Sequence, residues 1–189
     1  MRTNILIVGV GGQGTLLASR ILGTLAVNKN LDCKLSEVHG MSQRGGSVVT
    51  NVKIADEVKS PIIGLKDADI ILAFEQLEAI RYTNYLKDGG IIVVNTQQIM
   101  PMPVITGARE YPDNILEELK KRCGKLIAVD ALDIAKEIGS VKSVNVVMIG
   151  ALAKQLGISF EEIDSALKQT IKPALYELNK AALEKGYNI

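Results

Sequence analysis

A single three-layer α/β domain, with a mostly parallel sheet and a helical C-terminal region, is the fold class this sequence predicts, and three observations carry it. Continuous apolar runs recur through the first two thirds of the chain, helical patterns lie between them, and beyond residue 140 the pattern is helical throughout. The runs are "NILIVGV" (4–10), "DADIILAF" (67–74), "GIIVVNT" (90–96) and "KLIAVDA" (125–131). A strand apolar on both faces belongs in a parallel sheet covered by helices on both sides, with right-handed crossovers.

Each element has its own justification. In "GTLLASRILGTLAVNK" (14–29), Leu16, Leu17, Ile21, Leu22, Leu25 and Ala26 form one broad helical stripe. The segments 33–38 and 47–54 differ from the runs. The second of them, "SVVTNVKI", alternates polar and apolar residues, and too few residues separate the two for a helix. They either pair antiparallel or run on as a bent excursion from the sheet. "DNILEELKKRCG" (113–124) predicts a helix with Asp113 and Asn114 as candidate caps and its end at Gly124. "SVNVVMIGALAKQLG" (143–157) is apolar nearly all round, so that helix is buried on most sides, within the fold or against a partner. "SFEEIDSALKQTI" opens with a capping box, Ser159 and Glu162, and places Phe160, Ile163, Leu167 and Ile171 on one face. Pro173 breaks the chain before a last helix, "PALYELNKAALEKG". No repeat or linker divides the chain, so residues 1–189 read as one domain.

Bulk composition excludes several classes of function. Lys and Arg number 22 against 21 Asp and Glu, which gives no basic excess for nucleic acid. Cys33 and Cys123 form no CxxC, and one histidine completes no zinc or iron-sulfur ligand set, so no metal is expected on this chain alone. Two distant cysteines fit small buried hydrophobes in a reducing cytoplasm. The apolar start leads into a glycine loop and reads as a strand, not a signal peptide, and no charge-free apolar stretch reaches the roughly 18 residues of a membrane span.

Two glycine loops carry the chemistry. Gly9, Gly11 and Gly14, with Gly12 and Gln13 between them, fit GxGxxG between a strand and a helix, which makes the domain Rossmann-like. Such a loop lets a phosphate approach free N–H groups and the positive end of the helix dipole. Glu37 lies about where a ribose-binding acid would follow, roughly 20 residues on. An equally weighted reading is that these glycines only permit a tight turn. The chain also leaves no room for a substrate domain after a cofactor domain.

The second loop, "SEVHGMSQRGGS" (36–47), holds His39, Gly40, Ser42, Gln43, Arg44, Gly45 and Gly46. The planar fork of Arg44 suits two-point contact with a phosphate or carboxylate. His39 is the only histidine, and no Ser-His-Asp or Cys-His set can be assembled around it, so the loop reads as a binding element and not a reaction centre. Beyond the carboxyl ends of the other strands lie Glu75, Gln76, residues 95–97 and Asp130, a polar rim; any one of these, Asp130 especially, reads most simply as a solvated loop start, but together with two glycine loops on the same edge they predict a shared crevice or docking surface.

These stretches, "NILIVGVGGQGTLLASRIL", "SEVHGMSQRGGSV", "LAFEQLEAIRY", "IIVVNTQ" and "SVNVVMIGAL", resemble the gamma-domain family of 2-oxoacid ferredoxin oxidoreductases, and "HGMSQRGG" resembles its indolepyruvate type. The resemblance covers nearly the whole chain. It implies a beta subunit in a hetero-oligomer that oxidatively decarboxylates aryl 2-oxoacids with coenzyme A and passes electrons to ferredoxin. It places thiamine diphosphate and iron-sulfur clusters in a partner alpha subunit. It leaves coenzyme A, or a group on the partner, as the anion that Gly9, Gly11, Gly12, Gly14 and the segment 39–46 would meet. The competing expectation is a stand-alone NAD(P)-binding protein or redox sensor that uses GxGxxG and Glu37. A plain scaffold is the third.

Overall fold

The structure, a computed structural model, describes residues 2–37, 42 and 44–189. The first apolar run forms β1 (Thr3–Val10), which passes through the glycine loop into α1 (Thr15–Asn28). Then come β2 (Asp32–Glu37), β3 (Ser47–Ala55), β4 (Ala68–Ala73), α2 (Gln76–Arg81), β5 (Leu86–Asn95), α3 (Met102–Ile105), α4 (Ile115–Arg122), β6 (Lys125–Val129) and α5 (Ala131–Glu137). Three helices close the chain: α6 (Val144–Gln155), α7 (Phe160–Thr170) and α8 (Tyr176–Tyr187).

The six strands make one sheet in the order β2-β3-β1-β4-β5-β6. The apolar strands β1, β4, β5 and β6 run parallel to one another, as expected of runs apolar on both faces. β3 is antiparallel to both β1 and β2, so the antiparallel pairing is the arrangement adopted. Its alternation places Val48, Thr50, Val52 and Ile54 in the interior while the residues between them are only partly covered. β3 therefore stands between β1 and β2. That insertion moves the end of β2 one strand further from the first glycine loop than in a dinucleotide fold, where the second strand pairs directly with the first.

Helices cover both faces. On one, α1, α5, α6, α7 and α8 pack on Ile5, Ile7, Ile70, Leu72 and Val93; on the other, α2 and α4 pack on Leu6, Val8, Ile71, Ile92 and Val94. α6 is buried over every residue from 144 to 153, which fulfils the expectation of a helix enclosed on most sides. Full burial of each large apolar side chain contributes about 1.5–3 kcal/mol. That burial, not intrinsic propensity, holds a helix of 12 residues in place. The Ser159–Glu162 capping box forms with both of its hydrogen bonds. Among the described residues no helix is long and apolar enough to cross a membrane.

Some local expectations need correction. Asn114 occupies the cap position of α4 in a left-handed conformation, with φ 58°, and its side chain makes no cap bond. The helix ends at Arg122, before Gly124. Gly124 instead lets two backbones meet, since a Cβ there would lie 2.4 Å from the Gly89 carbonyl oxygen. Asp130 is exposed, as a solvated loop start would be, and its carboxylate also caps α5 by accepting from the Asp133 N–H at 3.2 Å.

Candidate functional site

The first glycine loop turns β1 into α1 at the carboxyl edge of the sheet. Gly12 and Gly14 have φ of 100° and 85°, left-handed backbone that glycine alone adopts without strain. A Cβ on Gly9 would lie 2.9 Å from the Gln13 Oε1 and 3.1 Å from the Phe74 Cβ, so the folded-back glutamine and the residue just past β4 keep this position small. Gln13 ties the turn together: its Oε1 accepts from the Val10 N–H at 2.8 Å, and its Nε2 donates to the Phe74 carbonyl at 2.9 Å. Its amide is thus committed to the loop itself.

Gly11 donates its N–H to the Gly46 carbonyl at 2.8 Å, which joins the two glycine loops. Gly46 in turn donates to the Ser42 carbonyl at 3.0 Å, and a Cβ on Gly46 would lie 3.0 Å from the Ser42 Cα. Gly45 has a φ of 96°, and Arg44 and Gly45 are exposed beside the crossing. The expectations placed on His39, Gly40 and Gln43 lie outside the described residues.

The polar rim is largely a set of internal ties. Glu75 is 1% exposed and caps α2, with Oε2 accepting from the Glu78 N–H. Its Oε1 accepts from the Tyr111 hydroxyl at 2.5 Å and from the Ile99 N–H at 3.2 Å, which anchors both ends of the excursion that carries α3. Burial, then Glu75, pushes the Tyr111 phenol above its usual range, because ionising it would place a second anion beside a buried carboxylate. Asn95 is fully buried and spans the ends of two elements, donating to the Phe74 carbonyl at 3.1 Å and accepting from the Ala131 N–H at 3.3 Å. Gln76 donates to the Thr96 carbonyl.

Beneath the second loop sits Glu78, 4% exposed. It accepts from the Ser47 hydroxyl at 2.5 Å through Oε2 and from Arg81 at 3.0 Å through Oε1. Burial raises its carboxyl above the usual glutamate value, and Ser47 and Arg81 pull it partly back.

A cleft of about 490 Å³ opens against the first loop, lined by Gly12 and Gly14, by Gln97 and Ile99, and by Lys142 and Asn145. Asn145 opens the first turn of α6. Its Nδ2 approaches the Gly14 carbonyl at 3.4 Å, while its Oδ1 is buried and has no hydrogen-bond partner among the described residues. A smaller hollow of about 240 Å³ lies on the other flank of the loop, over Leu16, Val48 and Thr50. Backbone N–H groups at the start of α1, one lysine and a polar amide together suit an anionic group attached to a polar chain. Sequence reasoning did not single out Lys142, Asn145 or Glu78. Asn145 carried a signal, as the one polar side chain in the apolar run 144–153. A hollow of similar size at the opposite edge is lined by Asp69 and Lys87, which pair with each other.

Glu37 ends β2, and its Oε1 accepts from the Ser19 hydroxyl of α1 at 2.7 Å. With β3 between it and β1, this carboxylate serves as a strand-to-helix tie. Among the described residues no three His, Cys, Asp or Glu side chains gather to hold a metal.

Comparison with known proteins adds the family context. Residues 4–189 match the family described as pyruvate ferredoxin/flavodoxin oxidoreductase. The chain is 41% identical to the indolepyruvate oxidoreductase subunit IorB of Archaeoglobus fulgidus, over 100% of this chain and 95% of that protein. It is 32% identical to the pyruvate/ketoisovalerate oxidoreductases common subunit gamma of Thermococcus kodakarensis, over 95% of this chain and 92% of the other. Among solved structures, the gamma subunit of a keto/oxoacid ferredoxin oxidoreductase from Geobacter sulfurreducens superposes with a TM-score of 0.73 at 25% identity, covering 99% of this chain and 97% of that one.

Proposed function

The chain belongs to the pyruvate ferredoxin/flavodoxin oxidoreductase family, and on that ground we propose that it is the beta subunit of an indolepyruvate ferredoxin oxidoreductase. The observation that carries the choice of substrate class is the higher identity, over the full chain, to an indolepyruvate oxidoreductase subunit than to the pyruvate/ketoisovalerate gamma subunit. In the proposed reaction an aryl 2-oxoacid loses its carboxyl as carbon dioxide, the remaining acyl group replaces the thiol proton of coenzyme A, and the two electrons released leave one at a time to ferredoxin.

Thiamine diphosphate and the iron-sulfur clusters belong, on this reading, to the partner alpha subunit, and the chain described here is required without being catalytic. Its work is to shape the partner's site and to help hold coenzyme A. Gly12 leaves open space at the positive end of α1, Gly14 and Lys142 line the same cleft, and Arg44 stands exposed on the adjoining loop, a set suited to the phosphates of coenzyme A. The orphaned Asn145 Oδ1 could accept one N–H from a polar arm. Two unpaired cysteines, Cys33 and Cys123, fit a reducing cytoplasm.

The test is co-expression with a candidate alpha subunit and assay with indolepyruvate, coenzyme A and ferredoxin. The isolated chain should be inactive and the complex active. Arg44→Ala and Lys142→Ala should each raise the KM for coenzyme A by roughly 5- to 50-fold. Turnover by the isolated chain would overturn the proposal. Saturable NADH binding to that chain, abolished by Gly11→Ala, would favour the NAD(P) alternative instead.

A further inference from the structure

We infer that Glu78, through Ser47, is a positioning residue for the second glycine loop, setting where Arg44, Gly45 and Gly46 stand over the site. The inference rests on the proposal that this loop meets coenzyme A.

Ser47 is the first residue of β3 and pairs in register with Val10, the last residue of β1. Both glycine loops therefore leave the sheet at this one rung. Gly46, immediately before Ser47, receives the N–H of Gly11. Whatever fixes Ser47 thus fixes the crossing point of the two loops.

The side chain that holds Ser47 comes from a different layer. Glu78 lies in the first turn of α2, on the face of the sheet opposite α1, and receives the Ser47 hydroxyl. Its other oxygen is held by Arg81, one turn along the same helix. The helix itself is capped by Glu75, which also takes the Ile99 N–H and the Tyr111 hydroxyl. A charge-assisted bond from a buried, two-point-anchored carboxylate is stiffer than the neutral contacts that a glycine-rich segment can make for itself. Gly45 and Gly46 supply no side chain that could do this. A buried acid is otherwise a costly choice at a position where an apolar residue could pack against the strand.

The test has two arms. In the first, amide hydrogen exchange is read on the isolated chain. Ser47→Ala should speed exchange at Gly46 and Gly11 by about tenfold or more, Glu78→Gln by less because an amide still bonds a hydroxyl, and Ser47→Thr should stay near wild type. Protection of the rest of β3 should not change. In the second arm, the complex with the partner subunit is assayed. Ser47→Ala should raise the KM for coenzyme A by about five- to tenfold with kcat within about twofold, and Ser47→Thr should restore it. Unchanged exchange in Ser47→Ala and Glu78→Gln overturns the inference. So does a loosened loop in a complex where Arg44→Ala raises the KM but Ser47→Ala does not. If neither Arg44→Ala nor Ser47→Ala alters the KM, the proposed contact with coenzyme A has itself failed, and the site role of Glu78 falls with it.

Discussion

Gly11 donates its backbone N–H to the Gly46 carbonyl at 2.8 Å, a bond between two loops that lie far apart in the chain. Neither residue offers a side chain, so the loops are coupled by backbone alone. Displacing either one breaks a hydrogen bond of the other, and a ligand or partner that engages the first loop also bears on the second. This coupling makes one structural unit of two motifs.

Substitution at the first loop should report this close fit. Gly14 has a φ of 85°, and a Cβ there would lie 2.3 Å from the Asn145 Nδ2. Gly14→Ala is expected to cost about 1–3 kcal/mol through backbone strain and the clash together. The melting temperature should fall by about 2–4 °C per kcal/mol for a chain of this size. Adding Asn145→Ala should recover part of the loss, by removing the clash and leaving the strain. Thermal denaturation of the three proteins decides it, and an unchanged melting temperature in Gly14→Ala would contradict the geometry.

The C-terminal helices should be still less tolerant. A Cβ on Gly186 of α8 would lie 1.9 Å from the Val147 carbonyl oxygen of α6, and one on Gly150 would lie 2.3 Å from the Leu183 carbonyl oxygen. Here the obstacle is backbone, which cannot rotate away. Gly186→Ala should destabilise by about 3 kcal/mol or prevent folding, whereas Gly45→Ala, whose Cβ would meet no atom of the described residues within 4 Å, should be limited to the strain of its left-handed φ. Denaturant titration of both variants tests the contrast.

Glu78 predicts a pH dependence with a definite sign. Burial is the largest influence on its carboxyl and raises its pKa on folding above the ordinary 4.5. A group raised in this way contributes stability that is complete below the unfolded pKa and is lost as pH climbs through the folded one. Stability should therefore decline across that window as pH rises from about 4.5, and Glu78→Gln should flatten this component. Urea denaturation from about pH 4 to pH 7 would reject the idea if the two proteins followed parallel curves.

Cys33 should be a poor redox sensor. Burial, followed by the neighbouring Asp32, pushes its thiol up to about 11, and burial also raises Cys123. At pH 8 the reactive thiolate of Cys33 should be scarcer by roughly two orders of magnitude than for an unshifted thiol. Labelling with a disulfide reagent should be correspondingly slow in the folded chain and fast after denaturation. Rapid labelling of Cys33 in the folded protein would contradict this suppression of its thiolate.

Features whose partners lie within a turn or a strand of each other were legible in the sequence. Ser159 and Glu162 announce a capping box because both of its bonds close within three residues. The apolar runs of β1, β4, β5 and β6 announce a covered parallel sheet for the same local reason. The placement of α4 was legible while its caps were not, because Asn114 takes a left-handed turn instead of bonding the helix start. Glu75, Gln76 and Asn95 could be recognised as polar residues at strand ends. That they are already tied to Tyr111, Thr96 and Ala131 could not, since those partners arrive from other elements.

By itself the sequence determined the alternation of strands and helices, the two glycine loops and the family resemblance, since each is written in the spacing and identity of neighbouring residues. Only the tertiary structure decided that β3 separates β1 from β2, that Glu37 binds Ser19, that Asn145 and Lys142 join Gly12 and Gly14 at one cleft, and that Glu78 reaches Ser47. The physical reason is that each of these joins segments remote in the chain. A buried polar group must find its hydrogen-bond partner in three dimensions, and chain spacing does not record which remote segment will supply it.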